Sequence, residues 1–241
     1  MSLALVAKHP TGTLTPDRVN GATSLTSGTS WTATAGNLII AVVTQYQSGA
    51  APGAITLTDS KSNAGWSTYV TTTKQTGTNY VRVSIGHCVI ATGGAGYTVT
   101  ASATSSDLEL SVIEVSGADP TPAAGSNSGT GGPGASPSSL SSGAVSPAGA
   151  PNCIYVGGGT ATGTSGSGHA FVLNWASATE LHNDSFATYA GIDSAYRIST
   201  GSQTFGCTVT YTSSTDLAWV AAIAAYKEAA AGSNTPSNTP S

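Results

Sequence analysis

Asp59 and Asn63 carry the first side-chain oxygens whose spacing could bind a metal ion. They lie at alternating positions with Lys61, in the segment Asp59-Ser60-Lys61-Ser62-Asn63, and alternating oxygen donors are typical of calcium loops. The segment lacks the glycine and the downstream acid of an EF-hand, and aspartate and asparagine here also favour a turn that bonds its own backbone. We therefore predict a turn, with no metal and no other cofactor, and retain Asp59 and Asn63 as candidate calcium ligands.

Tryptophans are the second kind of candidate, because β-sandwich proteins that bind sugars stack them on exposed aromatic rings. Trp31 lies in a Ser/Thr-rich stretch and is the best candidate for an exposed, ligand-binding ring. Trp66 and Trp175 occupy loosely equivalent places in two similar halves of the chain, which favours packing in the core.

Glu114 is the acid whose position is hardest to explain. It shares a strand face with Leu108, Leu110 and Val112, so we expect its side chain to point inward. A buried carboxylate needs a partner, and Arg82 is the predicted one. Glycoside hydrolysis requires a pair of carboxyl groups, so this lone acid does not indicate a hydrolase.

Other catalytic patterns are missing from the sequence. The Gly/Ser-rich residues 163–168 are not followed by the helical pattern of a nucleophile elbow. The four histidines have no metal-binding spacing, and the three cysteines are widely separated. We predict buried, unpaired cysteines and a protein that is not an enzyme.

Composition limits the partners. Charged residues make up only 7% of the 241-residue chain, against about 25% in ordinary domains. The net charge is −4, and the 7 lysines and arginines are scattered, which argues against nucleic acid as a partner. Because the sequence shows neither a secretion signal nor an apolar run of about 20 residues, we expect synthesis in the cytoplasm and no membrane contact.

The two halves of the chain resemble each other. Residues 98–115 and 208–226 share Thr-Val-Thr, then Asp-Leu, then an apolar run, and residues 37–40 match residues 152–155. A repeat of this length indicates a duplicated scaffold. We place the halves at about 1–117 and 138–228, with a Gly/Ser/Pro-rich connection at 118–137 and a flexible tail at 229–241.

Short strands separated by turn residues predict the fold class. Residues 38–46 form a run that we expect to be buried on both faces, and Gly93-Gly94 predicts a hairpin between residues 80–90 and 96–103. Ser138–Val145 is a candidate counterpart of the polar strand at 24–34. The pattern favours an all-β, antiparallel β-sandwich, jelly-roll or Ig-like, that spans 1–228 with two pseudo-repeated halves; two tandem sandwiches are the alternative.

Three short motifs resemble those of a known group of proteins. Gly36–Ile40, Asp59-Ser60 with Trp66, and Glu114–Gly117 are similar to segments of β-sandwich domains in phage virion proteins and bacterial surface proteins. The resemblance covers roughly residues 20–228, and it implies a structural or adhesive role without catalytic residues.

These observations lead to a functional expectation. We expect a virion structural protein of a bacteriophage, a capsid decoration protein on the virion surface whose partners are other virion proteins, above all the major capsid protein. Such a protein stabilises the assembled shell by binding it, and a homo-oligomer would match the symmetry of the lattice. The alternative is a tail-associated adhesin or carbohydrate-binding module that binds a surface glycan, with an extracellular or cell-surface location.

Overall fold

The structure, a computed structural model, describes residues 2–9, 17–121, 126–131, 138–147, 152–163, 170–173, 178–184, 190–201, 203–212 and 216–230. The regular secondary structure of these residues consists of β-strands joined by turns and loops: β1 (Ala4–His9), β2 (Asp17–Thr26), β3 (Trp31–Ala33), β4 (Leu38–Ser48), β5 (Thr56–Asp59), β6 (Ser67–Thr76), β7 (Asn79–Val89), β8 (Gly94–Tyr97), β9 (Val99–Ser116), β10 (Ser126–Gly131), β11 (Ser138–Val145), β12 (Asn152–Gly163), β13 (Ala170–Leu173), β14 (Thr179–Asp184), β15 (Ala190–Thr200), β16 (Phe205–Thr212) and β17 (Asp216–Lys227). In this part of the chain no helix is long and apolar enough to cross a membrane.

The first half forms a large antiparallel sheet and a smaller covering layer. The large sheet has the order β1-β9-β4-β7-β6. The 18-residue β9 changes partners along its length. Its beginning pairs with β5 and the end of β2, and its remainder pairs with β4 on one side and with the beginning of β2 and then β1 on the other. A short β3-β8 pair completes the covering layer.

The second half repeats this arrangement. Its five-stranded sheet has the order β10-β17-β12-β15-β14, and its three-stranded sheet has the order β11-β16-β13. In the second half, β16 belongs to the three-stranded sheet and β17 to the five-stranded sheet. In the first half, the single strand β9 supplies the equivalent segments of both layers. The equivalent strand orders confirm the predicted antiparallel all-β sandwich with two pseudo-repeated halves.

Three apolar clusters separate four layers of strands. One lies between the large sheet and its covering layer, and another lies between the five-stranded and three-stranded sheets. The third joins the two halves, because β4 and β7 pack there against β12 and β17. The two large sheets therefore share one core.

Strand β4 explains how the layers are joined. Leu38, Ile40 and Val42 face the shared core, whereas Ile39, Ala41 and Val43 face the core of the first half. Since side chains alternate across a strand, a strand between two cores must be apolar at every position. The expected burial on both faces of this run is confirmed.

Polar contacts add to the junction between the halves. The hydroxyls of Ser111 and Ser194 lie 2.9 Å apart in a buried position. The backbone N–H of Asp119 donates to Lys227 O at 2.8 Å, and that of Ala229 donates to Gly117 O at 2.7 Å. The last strand is thus held against the end of β9.

Several local predictions can be compared with the structure. Ser138–Val145 is a strand, as its match to the first half indicated, and residues 126–131 within the expected connection form β10 on the edge of β17.

The hairpin predicted at Gly93-Gly94 is wrong, because β8 pairs with β3 and not with β7. Gly93 instead lies so close to the backbone of Ala33 and Ala35 that a Cβ would collide with it. Of the tail, residues 231–241 lie outside the described residues.

Candidate functional site

The Asp59 turn is held by hydrogen bonds to both oxygens of one carboxylate. Asp59 Oδ1 accepts from the backbone N–H of Lys61 at 2.9 Å, and from the backbone and side-chain N–H groups of Asn63 at 3.2 and 3.1 Å. Asp59 Oδ2 accepts from the indole N–H of Trp66 at 2.8 Å. A bound cation would need these oxygens to face other oxygens, whereas here they face N–H donors.

Asn63 ties the same turn to the neighbouring loop. Its Oδ1 accepts from the backbone N–H of Thr92 at 2.7 Å, and its Nδ2 donates to Thr92 O at 3.1 Å. Asp59 and Asn63 are therefore brought together by the structure, but as the two ends of a hydrogen-bonded turn. Their geometry matches the turn that the sequence favours over a calcium loop.

A groove opens beside this turn, between β5 and β6. Its cavity volume is about 140 Å³, and its lining consists of Ile55, Thr56, Leu57, Trp66, Ser67 and Thr68. Among the described residues, β5 pairs only with β9 and β6 pairs only with β7, so the groove lies where two sheet edges meet. We call it the Trp66 groove.

The sequence indicated one component of this groove and missed the others. Trp66 was expected to pack in the core, and it does pack against the apolar cluster of the first half while remaining half-buried. The strand edges that complete the lining could not be identified before the pairing was known. Trp175, its suggested counterpart, lies outside the described residues.

Trp31 is placed differently from the exposed ring that the sequence suggested. It is half-buried, and the ring of His9 stacks on it with a centroid distance of 3.8 Å. Its indole N–H donates to Glu114 Oε2 at 2.9 Å. One face and the polar edge of Trp31 are thus already used within the protein.

Glu114 is fully buried, as expected from its strand face. Its other oxygen, Oε1, accepts from the backbone N–H of Thr34 at 3.0 Å and from the side chain of Asn37 at 2.6 Å. The predicted partner Arg82 is wrong: Arg82 donates to Thr73 Oγ1 and to Gly53 O. Neutral donors satisfy the buried carboxylate.

His9 is the least satisfied polar group near Glu114. Only 2% of its surface is exposed, and neither ring nitrogen has a hydrogen-bond partner among the residues that the structure describes. Burial lowers the pKa of His9, and the nearby Glu114 charge partly opposes that effect. The neutral imidazole therefore prevails near neutral pH.

A group of charged side chains lies at the junction of the halves. Arg18, Asp107 and Glu109 line a cavity of about 10 Å³, together with Thr160 from the second half. This volume holds about one water molecule. Asp107 accepts from the backbone N–H of Gly21 at 2.8 Å. The cluster braces β2 against β9 and leaves no room for a substrate.

The three cysteines and His87 are buried within the sheets. All three cysteines are free and buried, as predicted, and burial together with Asp59 raises the pKa of Cys88 to about 11. His87 Nδ1 lies 3.3 Å from the hydroxyl of Tyr226, and burial lowers the pKa of His87. Within the described residues, no three acidic, histidine or cysteine side chains cluster as a metal site would require.

The fold and these sites define the chain as an antiparallel β-sandwich protein with doubled architecture. Comparisons with family models, curated proteins and solved structures found no match to it.

Proposed function

We propose that this is a non-enzymatic virion structural protein, a capsid decoration protein that binds and stabilises an assembled shell. The observation that carries the proposal is the core shared by the two sandwich halves. It joins two similar units into one charge-poor body, which we expect to be preorganised for docking. A rigid binder loses little conformational entropy when it docks on a lattice, and selective binding to the assembled state stabilises that state.

The use of the acidic side chains supports the non-enzymatic part of the proposal. Asp59 and Glu114 each accept hydrogen bonds at both carboxylate oxygens from groups within the fold. A general acid or base needs a proton that can reach a substrate. These two carboxylates instead hold loops and tryptophan rings in place.

Strand edges are the surface that we assign to partners. β1 and β6 end the large sheet, and β10 and β14 end the five-stranded sheet. Edge strands offer backbone N–H and C=O groups to a neighbouring chain. The exposed large apolar side chains of the described residues, Val6, Val89 and Ile198, come from three different strands, so this contact would rely on hydrogen bonds.

Immunogold electron microscopy of particles from the source that encodes the chain tests this proposal. Antibodies to the purified protein should label the heads of intact particles, and added protein should raise the temperature at which shells depleted of it disassemble. Label confined to tails would favour the adhesin. Absence of the protein from purified particles would overturn both virion roles.

Glycan binding is the second candidate function, because the Trp66 groove offers it a specific place. An aromatic ring and hydroxyl side chains line a small open groove, as in many sites for small ligands. A glycan array with the intact protein tests this candidate, and absence of binding to every array glycan would count against it.

A further inference from the structure

We infer that the Trp66 groove is a subsite for one neutral pyranose ring, with Trp66 as the stacking platform. The inference deepens the glycan-binding candidate and rests on it, but it does not require the protein to belong to a virion. It places the ligand at Trp66 and not at Trp31, which is stacked against His9.

The size of the groove selects a single ring. Its cavity volume is about 140 Å³, close to the engineered cavity of about 150 Å³ that holds one benzene molecule. Drug-sized ligands occupy pockets of about 300–1,000 Å³, so a larger ligand would extend beyond the groove. Because the groove is open to solvent, the substituents of a pyranose and any further sugar units would remain outside.

The lining matches the two chemical characters of a sugar ring. Ile55, Leu57 and Trp66 offer an apolar surface for the C–H face of a pyranose. Thr56, Ser67 and Thr68 offer hydroxyl groups, which both donate and accept hydrogen bonds, to the ring substituents. None of the lining residues is charged, which favours a neutral sugar over an acidic one.

The platform is fixed before any ligand binds. The bond from the Trp66 indole N–H to Asp59 Oδ2 measures 2.8 Å, and three donors in the turn hold the other oxygen of Asp59. Preorganised rings lose little conformational freedom on binding. The Asp59 turn therefore acts as the support of the binding ring, which gives this calcium-like motif a role without calcium.

The apolar floor depends on a glycine in the neighbouring strand. A Cβ at Gly86 of β7 would collide with Leu57 Cδ1 and lie 3.1 Å from Ser67 O. Glycine thus lets Leu57 and the β6 backbone approach β7 closely. A larger residue at position 86 would displace Leu57 and the β6 backbone at Ser67, which form two walls of the groove.

Saturation-transfer NMR of the intact protein tests the inference with named probes: the methyl glycosides of glucose, galactose, mannose and N-acetylglucosamine, and benzyl alcohol as an apolar ring of similar size. At least one glycoside should receive saturation at its ring C–H protons at millimolar concentration. The Trp66→Ala variant should weaken that binding about tenfold or more.

A second variant keeps the test decisive if Trp66→Ala unfolds the Asp59 turn. The double variant Thr56→Val/Thr68→Val removes two groove hydroxyls and keeps side-chain shape, and it should weaken glycoside binding severalfold. Thr32→Val, which removes an exposed hydroxyl from β3 outside the groove, is the matched control and should bind as the original protein does. Circular dichroism and melting curves establish that each variant is folded.

Three outcomes would overturn the subsite: no saturation of any glycoside, binding of benzyl alcohol alone, or undiminished glycoside binding in the folded groove variants. If glycosides bind and only Trp31→Phe weakens them, glycan binding survives and the assigned place is wrong. The NMR result does not depend on the labelling of particles. Failure of the subsite can therefore be distinguished from failure of the virion role.

Discussion

At the level of single residues, the first half uses two carboxylates in the same way. Asp59 and Glu114 each accept the indole N–H of a tryptophan, at 2.8 and 2.9 Å, together with backbone N–H groups. Acids in a strand-rich, charge-poor sequence invite a catalytic or metal-binding interpretation. Their donors show that they organise loops around Trp66 and Trp31.

The Glu114→Gln substitution should measure this organising role. A glutamine keeps the shape but replaces one acceptor oxygen with an NH₂ group, which would face an N–H donor. We expect the free energy of unfolding to fall by about 1–3 kcal/mol, the usual cost of an unsatisfied buried polar group, as measured by urea denaturation. Asp119→Asn is the control, since this more exposed acid accepts from Thr121 N–H at the surface; an equal loss in both variants would contradict the role.

Calcium provides a second test at residue scale. Because both oxygens of Asp59 already accept hydrogen bonds from N–H groups, the melting temperature should be the same in calcium and in EDTA. The Asp59→Asn variant should lower it in both solutions. A rise with calcium that disappears in Asp59→Asn would restore the calcium loop.

Acid should weaken the fold through His9. Burial lowers the pKa of His9 below its usual 6.5. The stability that the neutral His9 side chain contributes to the fold is therefore fully present above about pH 6.5, and it is lost as the pH falls through the folded-state pKa. Replacement of His9 by phenylalanine keeps a ring on Trp31 and removes the titration. In this variant the free energy of unfolding should depend less steeply on pH between 7 and 5, by up to about 1.4 kcal/mol per pH unit. An unchanged slope would mean that His9 is not a source of the acid sensitivity.

At the level of elements, the end of β9 depends on a glycine. Gly117 has φ +68°, and a Cβ there would lie 2.6 Å from Ser2 O. Gly117→Ala should therefore combine the strain of a left-handed conformation, about 1–2 kcal/mol, with a backbone clash. Gly21→Ala is the matched control, because φ is +60° with nothing nearby; urea midpoints should fall further for Gly117→Ala, and equal shifts would contradict the clash.

The sequence predicts elements better than it predicts their pairing. The apolar run at 38–46 and the match of Ser138–Val145 to residues 24–34 are both visible in the sequence itself, and both strands exist. Register is not a local property: on β4, Glu114 lies opposite Ile39 whereas Arg82 lies opposite Gln45, about 20 Å along the strand. The predicted ion pair failed for that reason, and the Trp66 groove could not be foreseen because it joins edges of two strands.

β10 is a strand that a hydrophobic pattern does not predict. Its sequence, Ser-Asn-Ser-Gly-Thr-Gly, contains no apolar residue, so no hydrophobic pattern indicates a strand. It forms by backbone pairing along β17, in the place that β1 occupies beside β9 in the first half. The duplication of the scaffold accounts for its position, whereas the sequence indicates only a connection at 118–137.

At the scale of the whole molecule, the shared core should make the two halves one cooperative unit. The apolar side chains of β4 and β7 that face the shared core pack against β12 and β17, and either half alone would leave that face in water. Since the hydrophobic gain is roughly proportional to the apolar area removed from water, unfolding of one half would remove a large part of the stability of the other.

The substitution Ile223→Ala tests this coupling, because Ile223 faces the core within the second half and not the shared core. Removing a buried isoleucine costs about 2–5 kcal/mol. If the halves unfold together, hydrogen exchange of the slowest backbone amides should accelerate in β4 and β7 as much as in β12 and β17, although no contact of the first half has been altered. Acceleration confined to the second half would mean that the halves unfold separately. The joined two-unit body on which the decoration role depends would then lose its physical basis, whereas the Trp66 groove, built entirely from the first half, would be unaffected.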